Sequence, residues 1–285
     1  MIARTLGIPY VKILTAIDGS KHSAWALDLL LRLPLSVAPH LQVLHVMEQA
    51  MLTQSWLARP LASQPATETR KRSKAAARLV RRAVAKLRRR AKSVRPLLQK
   101  GPVTDTIVTT AAREKADLLV LGSRGISNIQ AFLMGSVSQQ VATYAPCSVL
   151  IVKERARAVT RVLLAVDGSS ASKRAMAFLP AHLKPAGVTV IVLMVRDDPY
   201  PEASPVNPRI EQYQHALLRA GFSVQLLTAT GHAAATIIST ARRQRADLIV
   251  LGSRGLTGLK RFLLGSVSRQ VTKYAPCSVL VVRGH

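Results

Sequence analysis

Short apolar runs alternate along this chain with stretches whose apolar residues recur every three or four positions. These are the spacings of buried strands and of helices with one buried face. In the first half, Val11–Ile17, Leu41–Met47, Val94–Gln99, Asp117–Leu121 and Ser148–Val152 read as strands. Between them, Lys21–Leu33, Arg70–Lys92, Thr104–Lys115 and Gly135–Tyr144 read as helices; in the second of these, Leu79, Ala83, Leu87 and Ala91 recur every four residues. The second half repeats the alternation, with strands at Val162–Val166, Val188–Val195, Ser223–Leu227, Asp247–Leu251 and Ser278–Val282. The four prolines from Pro199 to Pro208 mark a loop followed by a helix. Strands that are apolar throughout belong to a parallel sheet covered on both faces, and strand–helix alternation gives an α/β fold.

The alternation is a duplication. Ala116–Val152 aligns without gaps on Ala246–Val282, with 25 of 37 positions identical and an offset of 130. Near the start of each copy, "ILTAIDGS" matches "VLLAVDGS" at an offset of 149, so the second copy is 19 residues shorter in its middle. Two domains are expected, at 8–153 and 160–283, joined by the polar stretch Lys153–Thr160.

Composition narrows the classes. Of 285 residues, 48% are apolar, enough for a sizeable core, and no apolar run reaches the roughly 20 residues of a membrane-spanning helix. The first residues show no secretory-signal pattern, so a cytoplasmic protein is expected. The histidines have no zinc spacing, and Cys147 and Cys277, at matching places, read as small buried apolar residues. Lys and Arg number 41 against 14 Asp and Glu, a formal charge of +27 that attracts polyanions. Residues Arg70 to Arg95 alone hold 13 basic and no acidic residues. That segment also fits the solvated face of an amphipathic helix.

The candidate chemistry lies in a glycine pattern. "GSRGISNIQAFLMGSVS" from Gly122 returns as "GSRGLTGLKRFLLGSVS" from Gly252. Each copy follows a strand and leads into a helix. Gly122 and Gly125 allow close backbone approach to a ligand, while Gly135 and Ser136 open a helix whose unsatisfied N–H groups and dipole favour an anion. Ser136 and Ser138 add hydroxyl donors. Gly252, Gly255, Gly265, Ser266 and Ser268 repeat the arrangement. The spacing points to a phosphate cradle; the alternative is that the glycines only make tight turns and Ser136 only caps its helix. Asp18 and Asp167, ending the first strand of each copy, can accept a ribose hydroxyl, help hold a metal, or form an Asx-turn in "DGS". Arg124 and Arg254 can reach a phosphate or stand as exposed loop arginines. No GK[ST] occurs, which excludes a Walker A loop.

With "ILTAIDGS", "VLHV", "ADLLVLGSRG", the Gly-xx-Gly-x9-Gly-Ser spacing and "APCSVLIV", each matched in the second copy, the chain resembles a tandem universal stress protein of the ATP-binding branch. The resemblance covers nearly the whole chain and is weakest at residues 50–93 and 197–222. It implies two five-stranded, Rossmann-like sandwiches of the adenine nucleotide alpha hydrolase type, packed as an internal pseudo-dimer with Val149–Val152 pairing Val279–Val282. A further homodimer of the whole chain is an open expectation. ATP would be bound, with Mg²⁺ or Mn²⁺ as its companion. By this similarity Asp18 lies near the ribose, Val46 bonds the adenine through its backbone, and Gly122, Gly125, Gly135, Ser136, Val137 and Ser138 hold the phosphates. The second site would use Asp167, Val195, Gly252, Gly255, Gly265, Ser266, Val267 and Ser268. Met194 stands where the first copy has His45, a departure at the adenine end.

Two functions compete. One is an ATP-binding regulator or sensor of stress with at most weak hydrolysis. The other is nucleic-acid binding through the basic helix 70–95, which has no aromatic residue for base stacking. That helix lies outside the glycine motif, so the two activities are expected to be separable.

Overall fold

The structure, a computed structural model, describes residues 11–48, 66–126, 134–155, 158–196, 208–254 and 264–284. The first half contributes strands β1 (Lys12–Ala16), β2 (His40–Met47), β3 (Ser93–Lys100), β4 (Leu118–Gly122) and β5 (Ser148–Val152). Helices α1 (Lys21–Arg32), α2 (Ala66–Leu87), α3 (Val103–Arg113) and α4 (Ser136–Tyr144) connect them. The second half repeats this with β6 (Arg161–Val166), α5 (Ser170–His182), β7 (Thr189–Arg196), α6 (Pro208–Arg219), β8 (Ser223–Thr230), α7 (Ala233–Arg243), β9 (Leu248–Gly252), α8 (Ser266–Tyr274) and β10 (Ser278–Val282). The proline-rich loop expected before α6 lies outside the described residues, apart from Pro208 itself.

All ten strands form one sheet in the order β3-β2-β1-β4-β5-β10-β9-β6-β7-β8. Each half is parallel throughout, as its unbroken apolar strands require. Among the described strands, the antiparallel pairing is the junction, where Val279, Leu280 and Val281 face Ile151, Leu150 and Val149. The expected pairing between the last strands of the two halves is thus present, and it covers two strands, β5 and β10, that are buried along their whole length. Left bare, such edges would template aggregation.

The helices lie on both faces. On one face, a single apolar cluster runs beneath α1, α2, α5 and α6 and crosses from one half to the other. On the opposite face there are two separate clusters, one under α3 and α4 and one under α7 and α8. The loops after α1 and α5 also meet across the junction. The Ser36 N–H donates to the His182 carbonyl at 2.9 Å, and Lys184 N–H to the Pro34 carbonyl at 2.6 Å.

Two cations close the junction reciprocally. Lys153, after β5, donates to the carbonyls of Lys273 and Ala275 at the end of α8, each at 3.0 Å. Arg283, at the matching place after β10, donates to the carbonyls of Ala142 and Thr143 near the end of α4, at 2.6 and 2.8 Å. Each cation thus meets the negative dipole end of the other half's helix. Burial holds Lys153 down at about 8 and pulls Arg283 below its usual range.

The apolar runs mark every strand, but not every strand end. β3 and β8, the two outer strands, extend to Lys100 and Thr230, beyond the apolar runs, because they pair along the full length of β2 and β7. α2 begins at Ala66, before the basic run. Its buried Val80, Ala83 and Leu87 match Ile210, Tyr213 and Leu217 of α6. By that match α6 begins opposite Arg78, so α2 is roughly three turns longer at its start.

Candidate functional site

Strands β1 and β4 end side by side, and the turns that leave them are tied together. Gly19, with φ +87°, turns the chain sharply after Asp18, a conformation that favours glycine. One Asp18 carboxylate oxygen accepts the Ser20 N–H at 2.9 Å, and the other accepts the Ile126 N–H at 3.1 Å. Ser20 caps α1 by accepting the Ser23 N–H at 3.2 Å, and its hydroxyl donates to the Arg124 carbonyl at 3.2 Å. Asp18 is therefore both an Asx-turn and a clamp on the glycine loop.

The two glycines of that loop touch different things. A Cβ on Gly122 would lie 2.5 Å from the His22 carbonyl carbon, because the end of β4 passes against the first turn of α1. A Cβ on Gly125 would lie 2.7 Å from an Asp18 carboxylate oxygen. Gly122 thus serves packing as well as openness, while Gly125 keeps room beside the Asp18 carboxylate.

Gly135 precedes α4 with φ −68° and ψ 152°, ordinary extended backbone, and no side chain caps the helix. Its N–H donates to the Ser123 carbonyl at 2.8 Å and its carbonyl accepts from Gln139 at 3.0 Å. The N–H groups of Ser136, Val137 and Ser138 fall in the first turn, where a helix supplies no partner carbonyl. The Ser138 hydroxyl, expected as a ligand donor, instead donates to the Gly122 carbonyl at 2.9 Å. It faces inward and is buried, so its backbone N–H is what it can offer.

All eight first-half candidates line one crevice of about 1640 Å³: Asp18, Val46, Gly122, Gly125, Gly135, Ser136, Val137 and Ser138. Arg124 also lines it and is half-buried, as is Arg254 in the second half, so neither is an exposed loop arginine. His45 lies at the same end as Val46, and its Nδ1–H donates to the Ile17 carbonyl at 2.8 Å. Burial, with Arg124 and Lys21 nearby and Asp18 opposing, lowers the pKa of His22 beside the turn.

One wall was not foreseen. Arg72, Ala75, Ala76 and Leu79 of α2 line the crevice, so the basic segment is not wholly apart from the glycine motif. They stand at the i, i+3, i+4, i+7 spacing of one helix face, a signal present in the sequence, where only Leu79 of the four belongs to the apolar recurrence every four residues. The reason is the extra length of α2. A helix returning to the start of β3 runs opposite to the strands, so its added turns rise at the carboxyl edge of the sheet.

The second half repeats the frame. Gly252 abuts Ala171, where a Cβ would come within 2.6 Å, and the Ser268 hydroxyl donates to the Gly252 carbonyl at 2.8 Å. Gly265 precedes α8 with φ −62° and no side-chain cap, with Ser266 and Val267 in the first turn. Asp167 accepts the Ser169 N–H at 2.9 Å and the Ser172 hydroxyl at 2.7 Å. Val195 is half-buried, and the buried Met194 replaces His45. Gly255 lies outside the described residues. No group of three or more His, Cys, Asp or Glu able to hold a metal occurs among the described residues.

The universal stress protein family profile matches residues 9–153 and again 158–283. The chain belongs to the universal stress protein family. A universal stress protein of Mycolicibacterium smegmatis is 31% identical over 206 residues, covering 67% of this chain and 69% of that protein. One from Thermus aquaticus is 34% identical over 134 residues, 43% of this chain and 97% of its own. Among solved structures, a universal stress protein from Archaeoglobus fulgidus superposes with a TM-score of 0.71, at 22% identity, over 95% of this chain and 98% of its own. At that identity the likeness establishes the fold of the whole tandem chain. Among the described residues, no helix is long and apolar enough to cross a membrane.

Proposed function

We propose that this universal stress protein binds ATP in a crevice of each half and acts in the cytoplasm as a regulator or sensor, with at most slow hydrolysis. The observation that carries this reading is the uncapped start of α4, opening into a crevice that all eight first-half candidate residues line. A helix start that faces a cavity without a side-chain cap suits an anion. Room beside the Asp18 carboxylate, kept by Gly125, suits a ribose hydroxyl.

In this reading the N–H groups of Ser136, Val137 and Ser138 hold the phosphates, with Gly122 and Gly125 leaving the space. Asp18 accepts from the ribose while it fixes the loop, and the Val46 backbone meets the adenine. Asp167, Val195, Gly252, Gly255, Gly265, Ser266, Val267 and Ser268 serve the second site. Mg²⁺ or Mn²⁺ would ride on the phosphate oxygens, in keeping with the lack of a metal-holding cluster among the described residues.

Mass spectrometry of nucleotide released from the purified protein, followed by calorimetry with Mg-ATP, tests this. The expected result is ATP, at two molecules per chain. A stoichiometry of zero for folded protein sinks the proposal, and a value of one assigns the loss to the half with Met194.

A further inference from the structure

All 13 basic side chains from Arg70 to Arg95 are exposed. They follow one helix, the short 3-10 turn Arg88–Arg90 and the start of outer strand β3. The apolar stripe of α2, including Val80, Ala83, Val84 and Leu87, is buried in the core. Around the helix axis Lys71, Lys74, Arg78, Arg81 and Arg82 fall opposite that stripe. Lys86 and Arg95 meet acidic partners, Asp28 at 2.6 Å and Glu114 at 3.8 Å. Arg78, Arg82, Arg88, Arg89 and Arg90 have no ion pair among the described residues.

We infer that the outer face of α2 and the adjoining 3-10 turn form a docking surface for a nucleic-acid duplex, held through its backbone phosphates without reading sequence. Three features select that occupant. The helix is about 33 Å long, close to one turn of duplex, so its cations can meet phosphates along a groove. No aromatic residue lies in the segment, which removes base stacking and with it the usual grip on single strands. The apolar face of the helix is already spent on the core, so an anionic bilayer would find no side chains to take in.

The test is fluorescence anisotropy of the full chain with two labelled DNA duplexes of unrelated sequence. Both should bind alike, and affinity should fall by about a hundredfold or more between 50 and 200 mM salt. Replacing Arg81, Arg82, Arg88, Arg89 and Arg90 by Gln should weaken binding at least tenfold and flatten the salt dependence by about 0.9 for each phosphate no longer neutralised. Lysine at the same five positions should restore affinity, since holding a phosphodiester needs the charge. None of the five lines the crevice, so ATP stoichiometry should not change. If the variant with all five replaced fails to fold, Arg88→Gln, Arg89→Gln, Arg90→Gln alters only exposed side chains and should still cost about threefold. A folded glutamine variant with unchanged affinity overturns the inference. So does tighter binding to phosphatidylserine vesicles than to either duplex.

Discussion

The glycines of the two motifs do different physical work, and single substitutions should separate them. At Gly122 and Gly252 a Cβ meets backbone and a first-turn residue of the neighbouring helix within 2.5 and 2.6 Å. Backbone cannot rotate aside, so Gly252→Ala should destabilise by about 2–3 kcal/mol, read as a lower midpoint in urea. At Gly125 the obstacle is the end of a carboxylate side chain. Gly125→Ala should leave stability within about 1 kcal/mol while displacing Asp18, and the expected signature is weakened nucleotide affinity in the first site alone. The two cysteines make a further residue-scale test. Burial pushes both thiols up to about 12, with Cys147 and Cys277 about 1% and 2% exposed. A thiol reagent at pH 8 should therefore find none in the native protein and two after denaturation. Rapid native labelling would show that the junction opens readily.

At the scale of elements, the helix starts after Gly135 and Gly265 decide the phosphate reading. Both glycines have extended backbone that any residue adopts, so the turn does not require them. What remains is the space a side chain would fill. Gly135→Val should empty the first site and Gly265→Val the second, each with a melting temperature within a few degrees of the parent. Calorimetric stoichiometry beside a thermal melt measures both, and unchanged binding in the double variant refutes the cradle. The strands and this motif were legible in the sequence because apolar runs and glycine spacing are local signals. The inward turn of the Ser138 hydroxyl was not, since it depends on the Gly122 carbonyl, a partner set by tertiary packing. Nor was the crevice wall of Arg72, Ala75, Ala76 and Leu79, because the helix face pattern does not say how far a helix projects past its sheet. Asp18 was legible as a turn residue and as a site residue, and the structure gives one oxygen to the turn and the other to the glycine loop.

The whole molecule is joined at its middle by the β5–β10 pairing, two crossed cations, the loops after α1 and α5, and an apolar cluster shared by both halves. Lys153 and Arg283 each reach carbonyls more than a hundred residues away, which no local pattern reveals. Lys153 titrates at about 8 in the fold against an ordinary 10.5. Its depressed value means that the charged form costs stability in full below pH 8, and that this cost fades between pH 8 and 10.5 as the folded state releases its proton first. The wild type should therefore gain on Lys153→Met as pH rises from 7.5 to 10, in paired thermal melts; a constant difference would show that the two carbonyl bonds already offset the burial. The antiparallel junction has another consequence. Strands point one way in the first half and the opposite way in the second, so the turn that leaves β4 and the turn that leaves β9 lie at opposite ends of the sheet. No single flat surface can cover both. Whatever is felt at one of these ends must cross the seam of paired strands, loops and shared apolar core to be felt at the other.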